Sequence, residues 1–189
     1  LAVFDAAVEE IAARVMPVYR ANHDWLERIR ASLLALLDAF DERPETARLL
    51  VNDSIAWGPE VRERRGELLE TLAEALEEGR GEVAAAWPGH DRSRCDVDPV
   101  RPLPETTGEN LVGASLSWLH TRLAGESGPL VELAPSLMSM IAHPYLGAEA
   151  AQGELERPLT GLGAEVVTRE GEGDTPSPTT ISRLRATPS

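Results

Sequence analysis

Four histidines, one cysteine and 32 acidic residues are the groups of this 189-residue chain best suited to proton transfer or metal binding. They form no catalytic pattern. His23, His90, His120 and His143 fall in separate stretches, and the sequence has no glycine-rich phosphate loop, GxSxG elbow, HExxH or CxxC. The densest collection is His90, Asp91, Cys95, Asp96 and Asp98. Each is a competent ligand, but the spacing matches no zinc pattern, and the surrounding segment 87–108 carries four prolines and no period. Neither a cofactor, a metal site nor an enzymatic activity is read from these residues.

A second polar group bears on binding rather than catalysis. Residues 45–57, ETARLLVNDSIAW, read as a helix that is apolar nearly all round, the pattern of a helix enclosed by others. Its polar exceptions are consecutive: Asn52, Asp53 and Ser54. In helical projection Asn52 falls between Ile55 and Ala56, and Asp53 between Leu49 and Trp57. A buried polar group needs a partner from the protein, a water or a ligand. Small-molecule sites are largely apolar cavities with a few polar groups. Asn52 and Asp53, with Trp57, Trp118 and His120 as walls, are therefore the candidate ligand-binding residues. Bonds to neighbouring helices and ordinary core tryptophans account for the same five residues equally well.

The elements that would position them are helical. LAVFDAAVEEIAARVMPVYR puts Phe4, Val8, Ile11, Val15 and Tyr19 on one face, with Pro17 expected to kink or end the helix. In DWLERIRASLLALLDAF, Trp25, Ile29, Leu33, Leu36, Leu37 and Phe40 form a stripe, and Asp24 with Glu27 has capping-box spacing. Residues 60–79 set Val61, Leu68, Leu69, Leu72 and Leu76 against a wet face of Glu63, Glu67, Glu70, Glu74 and Glu77. Thr106 and Glu109 repeat the capping-box spacing ahead of a helix over 109–124. A last helix is expected from about Pro129, kinked at Pro135 and ending at His143, because Pro144 disfavours helical backbone at the residue before it. The one short alternating stretch, AEVVTR at 164–169, is too short to build a sheet. The expected fold is all-α, a bundle of about six helices over 1–152, with a flexible tail over 153–189 rich in Gly, Pro, Ser and Thr.

Charge narrows the partners. The net charge is −14, and every one of the 18 basic residues is arginine. So acidic a surface repels phosphate backbones, which makes the chain itself a poor nucleic-acid binder. No apolar run approaches the ~20 residues that span a bilayer. The lone Cys95 excludes an intrachain disulfide and fits a reducing cytoplasm. The chain opens on Leu1 already at helical spacing, and reads as a piece of a longer protein.

Helix 109–124 carries apolar residues at Val112, Leu116, Leu119 and Leu123. Away from that face Gly113 and Ser117 lie one turn apart, beside Ala114, His120 and Thr121. Small residues at i and i+4 admit a second helix at close range, so this helix is expected to pack on two sides. The second side belongs either to the same chain or to a partner subunit, for which a symmetric dimer is the commonest arrangement. In the last helix Leu130, Leu133, Leu137, Met140 and Ile141 share a face, and His143 lies opposite with Glu132, Ser136 and Ser139.

The order of these features resembles the C-terminal regulatory domain of TetR/AcrR-type transcriptional regulators, over roughly residues 1–150. LAVFDAAVEEIAARV resembles the helix that follows the helix-turn-helix. LVGASLSWLHTRL followed by PLVELAPSLMSMIAHPYLG resembles the last two helices of that family. The resemblance implies an all-helical domain whose interior helices enclose an effector pocket, here 25–40, 45–57, 60–79 and 109–124. It also implies a homodimer in which helices 109–124 and 129–143 form a four-helix bundle, with Gly113, Ser117, Thr121, Leu137, Met140 and Ile141 in the interface. The implied function is control of DNA binding by a small hydrophobic effector, DNA being reached only through a helix-turn-helix absent from this chain. The competing expectation is a helical protein-interaction module that takes no small molecule.

Overall fold

Hydrophobic stripes at helical spacing become seven α-helices among the described residues, 1–86, 103–125 and 128–159 of the computed structural model. They are α1 (Ala2–Ala21), α2 (Trp25–Glu42), α3 (Pro44–Val51), α4 (Pro59–Ala86), α5 (Thr107–Gly125), α6 (Ala134–Leu146) and α7 (Ala148–Glu156). Short 3-10 turns at Asp53–Ile55 and Leu130–Leu133 precede α4 and α6. The fold is all-α, with no strand among the described residues. No helix there is long and apolar enough to cross a membrane.

The second helix organises the interior. Asp24 caps it by accepting the Glu27 N–H at 3.0 Å, satisfying one of the donors a helix start leaves open. Its C-terminal half sends Leu37 and Phe40 into a cluster with Val51, Leu119 and Leu137. Its N-terminal half sends Trp25 and Ile29 into a second cluster with Leu76, Val112, Ile141 and Tyr145. Leu37 and Leu137 are wholly buried, so truncating either to alanine costs about 2–5 kcal/mol.

Several boundaries differ from the sequence expectation. Pro17 does not end α1, which runs on to Ala21. The expected helix over 45–57 stops at Val51 and continues as the 3-10 turn; there the buried Ser54 hydroxyl donates to the Leu50 carbonyl at 2.9 Å, a local bond that competes with helical backbone pairing. Pro135 sits in the first turn of α6 rather than at a mid-helix kink, where its missing N–H is not needed. Pro144 lies inside α6, and Gly147 closes that helix three residues beyond it, donating its N–H to the His143 carbonyl at 2.9 Å. The sequence-expected tail start, Gly153, lies within α7, and neighbouring Glu154 is buried. Residues 160–189, AEVVTR included, and the segment that carries His90, Asp91, Cys95, Asp96 and Asp98 lie outside the described residues.

Candidate functional site

The fifth helix is pinned at both ends. At its start Glu77 of α4 accepts the Gly108 N–H at 2.6 Å. Arg80, one turn along α4, bonds Glu77 at 2.7 Å and donates to the carbonyls of Leu103 and Pro104 at 2.7 and 2.8 Å. At its other end Arg122 pairs with Glu132 at 2.9 Å. Between these anchors Leu111, Val112 and Leu119 are buried, and Leu116 and Leu123 are half-buried against the core. The opposite side is open: Gly113, Ser117, His120 and Thr121 are exposed, and Trp118 is 42% exposed. The Thr121 hydroxyl turns back onto the Ser117 carbonyl at 2.9 Å, which keeps that surface low.

The structure brings together two of the five candidate ligand residues. His120 Nδ1 lies 2.7 Å from Asn52 Oδ1, joining the end of α3 to the outer side of α5. With the proton on Nδ1 the imidazole donates to the carboxamide and leaves Nε2 facing outward as an acceptor. The pair is not enclosed: Asn52 is half-buried and His120 exposed. Asp53 is also exposed and Trp57 half-buried, so neither is the buried residue that its projected angle suggests. The buried member of the trio is Ser54, and its hydroxyl is already satisfied by backbone. The change from helix to 3-10 turn at Asn52 rotates these side chains away from their projected angles.

The candidate interface residues divide. Gly113, Ser117 and Thr121 face outward and Met140 is half-buried. Leu137 is wholly buried and Ile141 is 4% exposed, each within a core cluster of this chain. Both side chains are therefore taken up inside the chain, half-buried Met140 packs against the same two clusters, and the part of α6 left more accessible is the Ser136, Ser139 and His143 side. Two clefts lie elsewhere, between α1 and α4. One of about 380 Å³ is lined by Leu1, Asp5, Val8, Glu9 and Arg64. The other, of about 140 Å³, is lined by Phe4, Val8, Arg64, Glu67, Leu68 and Thr71. None of the five candidate ligand residues borders either cleft.

Perturbed ionisation marks residues that sequence reasoning passes over. Burial, followed by the adjacent Glu77 carboxylate, pushes the Tyr145 phenol well above the ordinary tyrosine range. Its ring meets Trp25 edge-on at 5.0 Å, and its hydroxyl lies 3.4 Å from Glu77. Burial, with the charges of Asp41 and Glu42, raises Asp38. Asp41 itself accepts the Leu130 and Val131 N–H groups at 2.6 and 2.9 Å, tying the end of α2 to the turn before α6. Glu77 falls on the wet face of 60–79, where nothing in its spacing distinguishes it from its neighbours, and Asp41 belongs to no stripe or cap read from the sequence. No group of three or more His, Cys, Asp or Glu side chains is placed to hold a metal among the described residues. No protein-family model, curated protein or solved structure matches the chain.

Proposed function

We propose that this chain is the effector-binding and dimerisation domain of a TetR-type transcriptional regulator, pairing with a second copy through α5 and the accessible side of α6. One observation carries the reading: α5 is buried along one side and exposes Gly113, Ser117 and Thr121 along the other. Residues this small let a second helix approach at the short end of the 8–10 Å range, and a twofold arrangement sets the same surface against itself. A small hydrophobic effector is the implied ligand, and the Asn52–His120 pair beside that surface is its polar contact. An effector that favours one arrangement of the two subunits shifts the population by its differential affinity for that arrangement. DNA is contacted only through a helix-turn-helix outside this chain. The domain works in the cytoplasm and catalyses no reaction.

Sedimentation velocity at micromolar concentration tests the reading. A homodimer supports it, and a clean monomer favours the helical adaptor instead. For the ligand, a thermal-shift screen of small hydrophobic compounds is expected to give hits whose shift is lost in Asn52→Ala and His120→Ala. Hits that persist in both variants place the effector elsewhere.

A further inference from the structure

The last described helix, α7, is joined to the fold in a way that its length alone does not require. A single residue, Gly147, both closes α6 and opens α7: its N–H donates to His143 at 2.9 Å, and its carbonyl accepts from Ala151 at 3.1 Å. Its backbone, at φ +86° and ψ −179°, lies in a region that essentially only glycine occupies. α7 has nine residues, short of the ~12–15 that an isolated helix needs to persist in water. Its helical form therefore depends on docking, and undocking and melting are one event.

What docks it is chiefly α6, along which it packs, with Ala151 buried at 5% exposure. A second anchor is ionic. Arg30 of α2, 3% exposed, forks onto Glu154 of α7, 6% exposed: Nε donates to Oε2 at 2.8 Å and Nη2 to Oε1. Glu27 pairs with Arg30 from one turn back and reaches Arg157 at 3.1 Å, and Arg157 lies 4.0 Å from Glu154, closing a four-residue ring of alternating charge between α2 and the end of α7. A buried guanidinium–carboxylate pair of this kind gives little net stability relative to apolar packing, yet is costly to break from one side. Such an arrangement favours two discrete states over gradual loosening.

We propose that α7 is a flap hinged at Gly147 and locked by the Arg30–Glu154 pair, opening as a unit while the body of the fold stays intact. Opening uncovers the α6 surface beneath Ala151 and leaves the Arg30 guanidinium paired with Glu27 alone. The proposal does not rest on the dimerisation reading, since Gly147, Arg30 and Glu154 are not among the residues placed in that interface.

Native-state amide hydrogen exchange on the whole chain, followed as a function of denaturant, tests it. In the unaltered protein the α7 amides are expected to exchange through an opening with weaker denaturant dependence than the core amides at Leu37 and Leu137. Glu154→Gln is expected to speed α7 exchange on the order of 100-fold or more, with core exchange nearly unchanged. Arg30→Met combined with Glu154→Leu is expected to restore α7 protection to within about tenfold of the original. Exchange of α7 with the same denaturant dependence as the core in the unaltered protein would overturn the proposal. So would equal acceleration of α7 and core in Glu154→Gln, failure of that variant to fold, or no recovery in the double variant.

Discussion

Gly79 offers a sharp test of how α4 is seated. A Cβ built there would lie 2.1 Å from Cε2 and 2.3 Å from Cζ2 of Trp25. The indole would have to retreat by about 1.3 Å to regain the 3.4 Å of ordinary van der Waals contact. It has little room to do so. Trp25 is 2% exposed, its ring and that of Tyr145 meet in a T-shaped contact, and its Nε1–H donates to the Ala75 carbonyl at 3.1 Å, a bond that a shift of that size would break. Overpacking costs about 1–3 kcal/mol, and the lost hydrogen bond about 1 kcal/mol more. Against this, alanine improves on glycine in a helix interior by about 1 kcal/mol. Gly79→Ala should therefore destabilise by roughly 1–3 kcal/mol. Gly66 lies in the same helix, and a methyl group added there would meet no atom within 4 Å. Gly66→Ala should thus gain the helix preference alone and stabilise by about 0.5–1 kcal/mol. Urea unfolding followed by tryptophan fluorescence measures both. If the two variants stabilise equally, Gly79 does not hold the close contact with Trp25 that the packing of α4 on α2 requires.

Other outcomes follow from the same structure. Asp41→Ala removes the acceptor of two backbone N–H groups and should cost about 1–3 kcal/mol in urea unfolding, whereas Asp53→Ala, at an exposed position, should change stability by less than about 0.5 kcal/mol. Tyr145 keeps its proton in the folded state at pH values where the unfolded chain has lost it, so its contribution is complete below about pH 10 and declines as pH rises further. Stability should thus fall more steeply between pH 9 and 11 in the unaltered chain than in Tyr145→Phe; the chain has no lysine to obscure the comparison. Glu27 behaves oppositely. Burial raises its pKa, but hydrogen bonds and charges from Arg30 and Arg157 outweigh this and hold it below the usual value of 4.5. Its contribution is present above that pH and disappears as pH falls through the lowered value, so the acid limb of a stability profile should flatten in Glu27→Gln.

Much of the helical framework can be read from residue spacing, because amphipathic stripes depend only on the period of the helix. The Trp25–Phe40 stripe, the Asp24 cap and the Val112–Leu123 face all fall where the pattern places them. Proline is the poorer guide. Pro17 and Pro144 stand within helices because each removes only one backbone bond, which surrounding packing offsets. The site is less legible than the frame. Projection on a straight helix gives Asn52 and Asp53 angles that the 3-10 turn does not keep, although the Asn52–His120 contact does join a residue chosen for its polarity to one chosen as a wall. Leu137 and Ile141 do lie on an apolar face, but periodicity does not tell whether such a face meets its own chain or another. Arg30, Glu77 and Glu154 escape notice because charged residues at helical spacing look alike until a distant partner appears, and those partners lie 124 and 31 positions away.

Dimerisation across α5 is tested most directly by cross-linking at Ser117. In a Cys95→Ser background, Ser117→Cys sets a thiol on the outward side of α5, near the proposed twofold axis, where the ~4.4–6.8 Å Cα separation that a disulfide requires is attainable. Mild oxidation is expected to yield a disulfide-linked dimer from Ser117→Cys and none from Glu60→Cys, an exposed position on α4. A Ser117→Cys protein that stays monomeric, or one that cross-links no better than Glu60→Cys, would contradict the proposed interface.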